Sequence, residues 1–321
     1  MKQARASVTA LGAALMRAVH TRASASPLIA DLWGDRLVLE DERKMVLNVV
    51  LNGLSQQDRE RCEKLGIPKA MLDCALQAHP GYGWAVLRTR YAEDALQLAV
   101  ERGTRQYVIV GAGLDSFALR QPSFARDVDV FEIDHPATQD LKRRRLTDCG
   151  VPLPPRLHFV PADLGQEQIS DVLARSAFRS TDPAFFSWLG VTQYLTREAN
   201  LGTLRGIAAC AVSGSELVFT YVEHDALSSN RASTSVARLQ GAFAAAREPW
   251  LSGFDPRELA EDLAAVGLLL IEDLNGQEAK NRYCRDQGDD LNPIGPSHIA
   301  RATVQRGLEK ADDRIGMRYH R

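Results

Sequence analysis

The chain has 321 residues, of which 45% are hydrophobic and 25% are charged, which is typical of a soluble globular protein. Its formal net charge of −2 leaves no basic excess to neutralise phosphates, which argues against a nucleic-acid partner. No stretch reaches the ~20 consecutive apolar residues of a membrane span, so we expect no membrane partner either. The length allows one large domain, or one domain with a sizeable cap.

The five cysteines predict a reduced protein. They are odd in number and contain no Cys-x-x-Cys pair, which favours neither disulfides nor a structural zinc site. No His-x-x-x-His or clustered-carboxylate pattern indicates another metal. We therefore expect a cytoplasmic protein without metal ligands. The cysteines are Cys62, Cys74, Cys149, Cys210 and Cys284.

The N-terminus combines features of a signal peptide with those of a helix. Lys2 and Arg5 precede an apolar stretch and a run of small residues, as in a secretory signal. Arg17 and His20 interrupt that stretch, which favours an amphipathic helix instead. The apolar residues at helical spacing are Leu11, Leu15, Ala18 and Val19.

The first predicted strand is the uninterrupted apolar run Tyr107–Val110, which suits a strand that is buried on both faces. Gly111 and Gly113 follow it, and they allow a tight turn and a close approach of a ligand to the backbone. Asp115 and Ser116 are suitable caps for the next helix. A strand, a glycine turn and a helix N-terminus together predict a nucleotide-type crevice.

Strand-like and helix-like segments alternate from about residue 104 onward. One helix should begin at Pro136 and stop at Gly150, and another should be capped by Thr196. Asp255 and Glu258 flank a proline and should open a third helix. The further predicted strands are residues 127–136, 157–164, 184–195, 216–222 and 268–274.

This alternation predicts an α/β fold with a doubly wound, mostly parallel sheet. The first 100 or so residues are mostly helical in pattern, so we expect residues 1–95 to form a cap on a catalytic domain of residues 96–321. Residues 223–254 form a long connection, which we interpret as a lid insertion.

A glycine turn followed about 20 residues later by an acid occurs in both dinucleotide and S-adenosylmethionine sites, because a carboxylate can bind ribose hydroxyls in either. Here Ser116 replaces the third glycine of G-x-G-x-x-G, which weakens the NAD interpretation. Asp134 and Asp163 end the second and third predicted strands, so both should emerge beside the glycine loop. Either acid alone could instead cap a helix. Together they favour S-adenosylmethionine, with an NAD(P)-linked oxidoreductase as the alternative.

Five motifs in this order resemble the leucine carboxyl methyltransferase family of S-adenosylmethionine-dependent enzymes, including its bacterial branch. The resemblance extends from about Arg17 to Leu274. It implies a seven-stranded, Rossmann-like class I methyltransferase sheet and O-methylation of a carboxylate on a small molecule or a peptide end. S-adenosyl-L-homocysteine would be the product. The motifs are RTRY (88–91), VIVGAGLDSFALR (108–120), FEIDHP (131–136), PADL (161–164) and GVTQYL (190–195).

The resemblance also implies roles for individual residues around the methionine part of the cofactor. Arg90 matches the family arginine that pairs with the methionine carboxylate, although a surface or capping arginine is the alternative. Gly111, Ala112 and Gly113 match the loop beside the methionine and ribose. Arg17 resembles an N-terminal basic residue that closes over the cofactor.

On the ribose and adenine side, Asp134 matches the ribose-binding acid, and Asp163 with Leu164 matches the pair around the adenine. One position departs from the family pattern. Many members have an acid just before the GV of the fourth strand, whereas this chain has Leu189. We expect Leu189 and Trp188 to be core residues, and any contact that the family acid makes is in doubt here.

Methyl transfer from a sulfonium depends mainly on orientation of the acceptor oxygen, which can supply ~7–11 kcal/mol of the barrier. A carboxylate acceptor is already ionised at neutral pH and needs no general base, whereas an alcohol or phenol would need one. Gln193, Tyr194 and His224 follow predicted strands and are candidates to orient the acceptor, although each also suits a structural role. A relative that binds cofactor without turnover is a third possibility, and the retained cofactor motifs argue against it.

Overall fold

A computed structural model describes residues 7–227, 234–284, 291–293 and 295–305. Seven strands form one sheet in the order β3-β2-β1-β4-β5-β7-β6, in which only β7 is antiparallel to its neighbours. This confirms the predicted seven-stranded, mostly parallel sheet. The strands are β1 (Gln106–Val110), β2 (Asp129–Asp134), β3 (Leu157–Pro161), β4 (Ala184–Trp188), β5 (Glu216–Val222), β6 (Leu268–Asn275) and β7 (Ser297–Val304).

Thirteen α-helices surround the sheet within the described residues, and six of them precede β1. They are α1 (Val8–Ala23), α2 (Trp33–Leu37), α3 (Glu40–Gly53), α4 (Gln56–Glu63), α5 (Pro68–Ala78), α6 (Gly81–Glu101), α7 (Phe117–Arg120), α8 (Pro136–Asp148), α9 (Ile169–Ala174), α10 (Arg197–Cys210), α11 (Thr234–Ala245), α12 (Leu259–Ala264) and α13 (Gly276–Tyr283).

The centre of the sheet positions the site. Every residue of β1, β4 and β5 is buried, because helices cover both faces of these strands. β1 pairs in parallel with β2 on one side and with β4 on the other. The chain order therefore reverses between β1 and β4, and such a switch point opens a crevice at the carboxyl ends of the strands.

The N-terminal helices share a hydrophobic core with one face of the sheet. Leu15 of α1, Leu76 of α5 and Leu87 of α6 pack in the same cluster as Tyr107 and Ile109 of β1. The opposite face packs against α9, α10 and α12 in a second cluster. A cap boundary near residue 95 and a lid over residues 223–254 stay predictions, and residues 228–233 lie outside the described part of the chain.

The N-terminal segment forms a helix as predicted, since α1 buries Leu11, Leu15, Ala18 and Val19. Residues 1–6 lie outside the described chain. No helix among the described residues is long and apolar enough to cross a membrane.

Two predicted elements begin or end elsewhere. The fourth strand ends at Trp188 rather than at residue 195, because Gly190 turns the chain with a φ of +71° and residues 192–194 form a 3-10 turn. The third predicted helix begins at Leu259, because the Asp255 carboxylate accepts the backbone N–H of Arg257 and holds a preceding turn.

The expectation of a protein without disulfides is wrong. Cys62 in α4 and Cys74 in α5 form a disulfide with their Cα atoms 5.5 Å apart. The two helices pack side by side, which brings together cysteines separated by 12 positions in sequence. The cytoplasmic location relied partly on reduced cysteines and stays a prediction.

Candidate functional site

A cavity of about 530 Å³ lies at the carboxyl ends of β1 and β4, and we call it the central cavity. Its floor is the glycine turn after β1 and the segment after β4. Its roof is the first half of α1 and the segment of residues 247–251. Residues on its wall include Thr9, Ala13, Arg17, Arg88, Gly111, Ala112, Gly113, Leu189, Gly190, Tyr194, Glu248 and Leu251.

The glycine turn closely approaches its neighbours. Gly111 has a φ of +69°, and a Cβ there would lie 2.6 Å from Cγ2 of Val191. Gly113 has a φ of +51°, and its Cβ would lie 3.2 Å from Cβ of Ala10 in α1. Glycine adopts this left-handed conformation without steric cost. The turn therefore presents bare backbone to the cavity, together with Ala112.

A buried ion pair supports this turn from below. Lys142 of α8 donates to the backbone oxygen of Asp115 at 2.6 Å and to Oε2 of Glu132 at 2.5 Å. Burial raises the pKa of Glu132 to about 7, although the Lys142 ammonium opposes this shift. Lys142 thereby ties the turn to β2.

Asp134 is held against the glycine turn at the end of β2. Its carboxylate accepts the backbone N–H groups of Gly113 and His135. Burial raises the pKa of Asp134, and these two hydrogen bonds oppose that shift. The carboxylate is half-buried, and it lies beside the turn rather than on the wall of the central cavity.

Asp163 and Leu164 follow β3 at the same edge of the sheet, but they do not line the central cavity. The Asp163 carboxylate accepts the N–H of Gly165 at 3.0 Å and the side-chain amide of Gln166 at 2.9 Å. Leu164 packs against the second core cluster. Asp163 therefore stabilises a turn and does not cap the next helix, α9, whose N-cap is Gln168. Its role beside an adenine stays a prediction.

Arg17 lines the central cavity with its charge already paired. Its Nε lies 2.7 Å from Oδ2 of buried Asp31, and its Nη2 donates to the backbone oxygen of Leu114. Ser116 also donates to Asp31. Burial alone would raise the pKa of Asp31, but the Arg17 guanidinium holds it below its usual value. Arg17 thus joins α1 to the glycine turn.

Arg90 does not line the central cavity, and its predicted pairing with the methionine carboxylate stays a prediction. Arg90 is partly exposed, pairs with Asp94 one turn later in α6 and donates to the backbone oxygen of Leu28. Arg88 occupies the cavity wall instead. The i, i+4 spacing of Arg90 and Asp94 is a surface-pair signal that the sequence already contained.

The positively charged guanidinium of Arg88 lines the central cavity. Within the described part of the chain it has no hydrogen bond or ion pair. Burial lowers the pKa of Arg88 to about 10, so it is protonated at neutral pH. Its guanidinium lies where a Cβ at Gly190 would be. Arg88 is partly buried, and an unpaired cation in such an environment favours a ligand that supplies the counter-charge.

Tyr194 and Gln193 lie at the cavities, whereas His224 does not. The Tyr194 hydroxyl lies 3.1 Å from Oγ1 of Thr9, and burial raises its pKa, so it remains a donor at neutral pH. Gln193 donates to the backbone oxygen of Gly190 at 3.3 Å and lines a smaller neighbouring cavity. His224 is exposed in a surface groove beside Asp255, since β5 ends before it and turns outward.

The departure at Leu189 falls on the cavity wall. Trp188 is fully buried, as predicted. Leu189 is only partly buried and lines the central cavity. β4 ends at Trp188, so Leu189 is not covered on both faces as the strand residues are. An apolar side chain therefore faces the space where many family members present an acid.

Glu248 closes the site and was missed in the sequence. Its carboxylate accepts the backbone N–H of Val8 at 2.8 Å, the N–H of Thr9 at 3.1 Å and the hydroxyl of Thr9. The N–H of Leu251 donates to the backbone oxygen of Gln193 at 2.7 Å. Residues 247–251 thus tie α1 to the turn after β4 across the cavity. No local pattern around Glu248 reveals this long-range cap.

Among the described residues, no group of three or more His, Cys, Asp or Glu side chains could hold a metal ion. On the cavity wall, the Arg88 guanidinium fits an anionic ligand and the glycine turn fits close ligand approach. Arg247, which is exposed, also lines the cavity.

The chain is similar to known proteins of one enzyme family. Residues 10–208 match the family model of leucine carboxyl methyltransferases. A Bacillus subtilis protein named "Putative S-adenosyl-L-methionine-dependent methyltransferase YktD" is 32% identical over 94% of this chain and 99% of its own length. The NAD(P)-linked alternative finds no support in these relatives.

Two crystal structures share the fold, each with 16% identity and a TM-score of 0.52 over 81% of this chain. One is a "duf574 family protein" from Streptomyces avermitilis, of which 97% is covered. The other is a "putative methyltransferase" from Thermobifida fusca, of which 95% is covered.

Proposed function

Because this chain belongs to the leucine carboxyl methyltransferase family and is an S-adenosylmethionine-dependent methyltransferase, we propose that it methylates a carboxylate oxygen of a small molecule or a peptide end. The unpaired guanidinium of Arg88 is the observation that carries this proposal. It lies at the junction of the central cavity and the smaller cavity beside it, where anionic groups of both cofactor and acceptor would meet.

The residues present fit the cofactor. Arg88, rather than Arg90, would pair with the methionine carboxylate, and Gly111 and Gly113 leave room for the chain of the cofactor. Each oxygen of the Asp134 carboxylate holds one backbone N–H and keeps capacity to accept from ribose hydroxyls. Asp163, with Leu164 after it, is the remaining candidate for adenine contacts. S-adenosylmethionine, when bound, supplies an activated methyl group on its sulfonium sulfur.

The acid–base groups on the wall favour an acceptor that is already ionised. Glu248 is engaged as the cap of α1, and Asp115 accepts the N–H of Phe117. The raised pKa of Tyr194 keeps its phenol protonated. None of these groups is a free base near neutral pH, and a carboxylate needs none.

The chain would act mainly by orientation and by exclusion of water. α1 and residues 247–251 cover the cavity. Thr9 donates its hydroxyl proton to Glu248, so Tyr194 donates its own proton to Thr9. Exchange of that bond for one to an acceptor oxygen would leave the other acceptor oxygen free to approach the methyl group. Holding reactants in this way can supply ~7–11 kcal/mol of the barrier.

Alkali sensitivity of the product tests the proposal. The purified protein is incubated with methyl-labelled S-adenosylmethionine and a panel of carboxylic acids, phenols, alcohols and C-terminal peptides. Carboxylate methylation yields esters, which mild alkali hydrolyses to labelled methanol, whereas methyl ethers and methylamines retain the label. We expect alkali-labile label on a carboxylic acid. Alkali-stable label would contradict the proposal.

A further inference from the structure

We propose that a second, apolar cavity binds the body of the acceptor, and that this acceptor is a small carboxylic acid with a compact branched or single-ring group rather than a peptide end. This inference rests on the proposed function. We call the cavity the acceptor chamber. Its wall includes Met16, Val46, Val50, Trp84, Phe243 and Trp250.

The acceptor chamber adjoins the central cavity. Thr9, Ala13, Arg88 and Tyr194 line both spaces, so a ligand could have its ionised end at Arg88 and its body in the chamber. The chamber measures about 80 Å³. An apolar cavity of about 150 Å³ binds benzene, so this space suits a compact group no larger than one small ring.

Gly12 keeps the chamber open. It lies inside α1 and lines the chamber, and a Cβ there would meet nothing within 4 Å. The buried helical glycines Gly34 and Gly83 differ, because a Cβ at either would meet backbone atoms within 3.0 Å. Glycine costs a helix interior about 1 kcal/mol relative to alanine. At Gly12, no neighbouring backbone requires a glycine. A glycine there does leave the chamber unfilled, which a larger side chain would not.

Two N–H groups at the chamber lack a partner within the described chain. His79 accepts the N–H of Gly81 on Nδ1 at 3.0 Å, so its neutral ring carries the proton on Nε2. Burial lowers the pKa of His79 to about 4, which keeps it neutral at pH 7. Nε1 of Trp250 is buried without a hydrogen bond. Neither N–H group can accept a hydrogen bond, so the backbone N–H groups of a peptide end would find no partner at these two positions.

The test places a larger side chain at Gly12, where it would fill the chamber. The same substitution at a glycine outside both cavities is the control. Gly202 also lies within a helix, α10, with nothing within 4 Å of its Cβ position, and it lines neither cavity. Calorimetry measures binding of 4-methylpentanoate and of the tripeptide Gly-Gly-Leu to protein saturated with S-adenosylhomocysteine. Fluorescence of Trp84 and Trp250 provides a second readout from within the chamber.

We expect 4-methylpentanoate to bind the wild type at least tenfold more tightly than the tripeptide. Gly12→Leu should weaken that binding at least tenfold, with unchanged affinity for S-adenosylhomocysteine, and Gly202→Leu should leave both affinities unchanged. If Gly12→Leu does not fold, Gly12→Ala adds one methyl group to the same space, and we expect a threefold loss with a raised melting temperature.

Equal binding of 4-methylpentanoate by the wild type and the folded Gly12 variant would overturn the proposal, as would tighter binding of the tripeptide. If neither probe binds a wild type that binds S-adenosylhomocysteine, the acceptor chamber is rejected and the proposed function stands. If S-adenosylhomocysteine itself does not bind, both are rejected.

Discussion

At the scale of single residues, two arginines separated by one position in α6 occupy opposite environments. Arg90 lies on the outer side of the helix with Asp94, where a charge is hydrated and paired. Arg88 lies on the cavity wall without a protein partner in the described chain. Their side chains are identical, so the helix phase alone decides which of them can meet a ligand.

This contrast predicts that substitution by methionine has a large effect on cofactor affinity at Arg88 and almost none at Arg90. Arg88→Met should lower the affinity for S-adenosylhomocysteine at least tenfold, because a hydrogen bond between charged groups contributes ~1.5–3 kcal/mol and tenfold corresponds to about 1.4 kcal/mol. Arg90→Met should change it less than twofold. Calorimetry on both folded variants measures this difference. Equal losses would place the methionine carboxylate elsewhere.

Asp134 allows a second prediction at this scale. If its carboxylate receives the ribose hydroxyls, Asp134→Ala removes hydrogen bonds to a charged group, and the affinity for S-adenosylhomocysteine should fall at least roughly tenfold. Thermal unfolding checks that the glycine turn still supports the fold without the bond from Gly113. Unchanged affinity in a folded variant would remove Asp134 from the site.

At the scale of elements, Glu248 is the link between the connection after β5 and the start of α1. Its three hydrogen bonds reach two orphan N–H groups of the helix and the Thr9 hydroxyl, which itself contacts Tyr194. A carboxylate at this position also interacts favourably with the helix dipole. The link between residues 247–251 and the start of α1 therefore depends largely on one side chain.

Removal of the Glu248 link should speed ligand release from the central cavity more than it lowers the stability of the fold. Glu248→Ala should speed release of S-adenosylhomocysteine about tenfold, because lost charged hydrogen bonds of ~1.5–3 kcal/mol are partly replaced by water. Stopped-flow tryptophan fluorescence measures the release rate. Glu198→Ala is the matched control, since Glu198 lies in the first turn of α10 and is exposed. A release rate that Glu248→Ala leaves unchanged would show that the roof does not gate the site.

At the scale of the whole molecule, the sequence predicts the sheet better than the site. β1 and β5 contain the contiguous apolar runs Tyr107–Val110 and Leu217–Phe219, and burial on both faces produces that pattern directly. β7 was not identified, because its sequence SHIARATV contains polar residues that become buried only between β5 and β6. Arg88, Glu248 and the Cys62–Cys74 disulfide depend on contacts between elements that are distant in sequence or on helix phase, which local patterns do not encode.

The last three strands of the sheet meet at one histidine. His298 of β7 lies between two carboxylates, with Nδ1 3.0 Å from Oδ2 of Asp273 in β6 and Nε2 3.2 Å from Oε1 of Glu223 after β5. Its ring stacks on Tyr221 of β5, which donates to the same Asp273. Burial alone would lower the pKa of His298, but the hydrogen bonds and charges of both acids outweigh it and raise the pKa.

A raised pKa in the folded state makes stability depend on pH in a definite direction. The folded protein binds the His298 proton more tightly than the unfolded chain, whose histidines titrate near about 6.5. The stabilisation is therefore complete below that pH and is lost as the pH rises through the folded-state pKa. Its size is about 1.4 kcal/mol for each pKa unit of the shift.

Urea unfolding between pH 5.5 and 8.5 tests this link. Relative to His298→Gln, the wild type should lose free energy of unfolding as the pH rises across this range, because its native state binds the His298 proton more tightly than the unfolded chain does. Glu132 and His79 also titrate differently in the folded state, but they contribute equally to both proteins. His298→Gln should abolish that part of the slope, and Glu223→Gln should reduce it, since Asp273 still pairs with the ring. A His298→Gln protein with the wild-type slope would mean that other groups control the pH dependence, and that the junction of β5, β6 and β7 is held by packing rather than by the imidazolium.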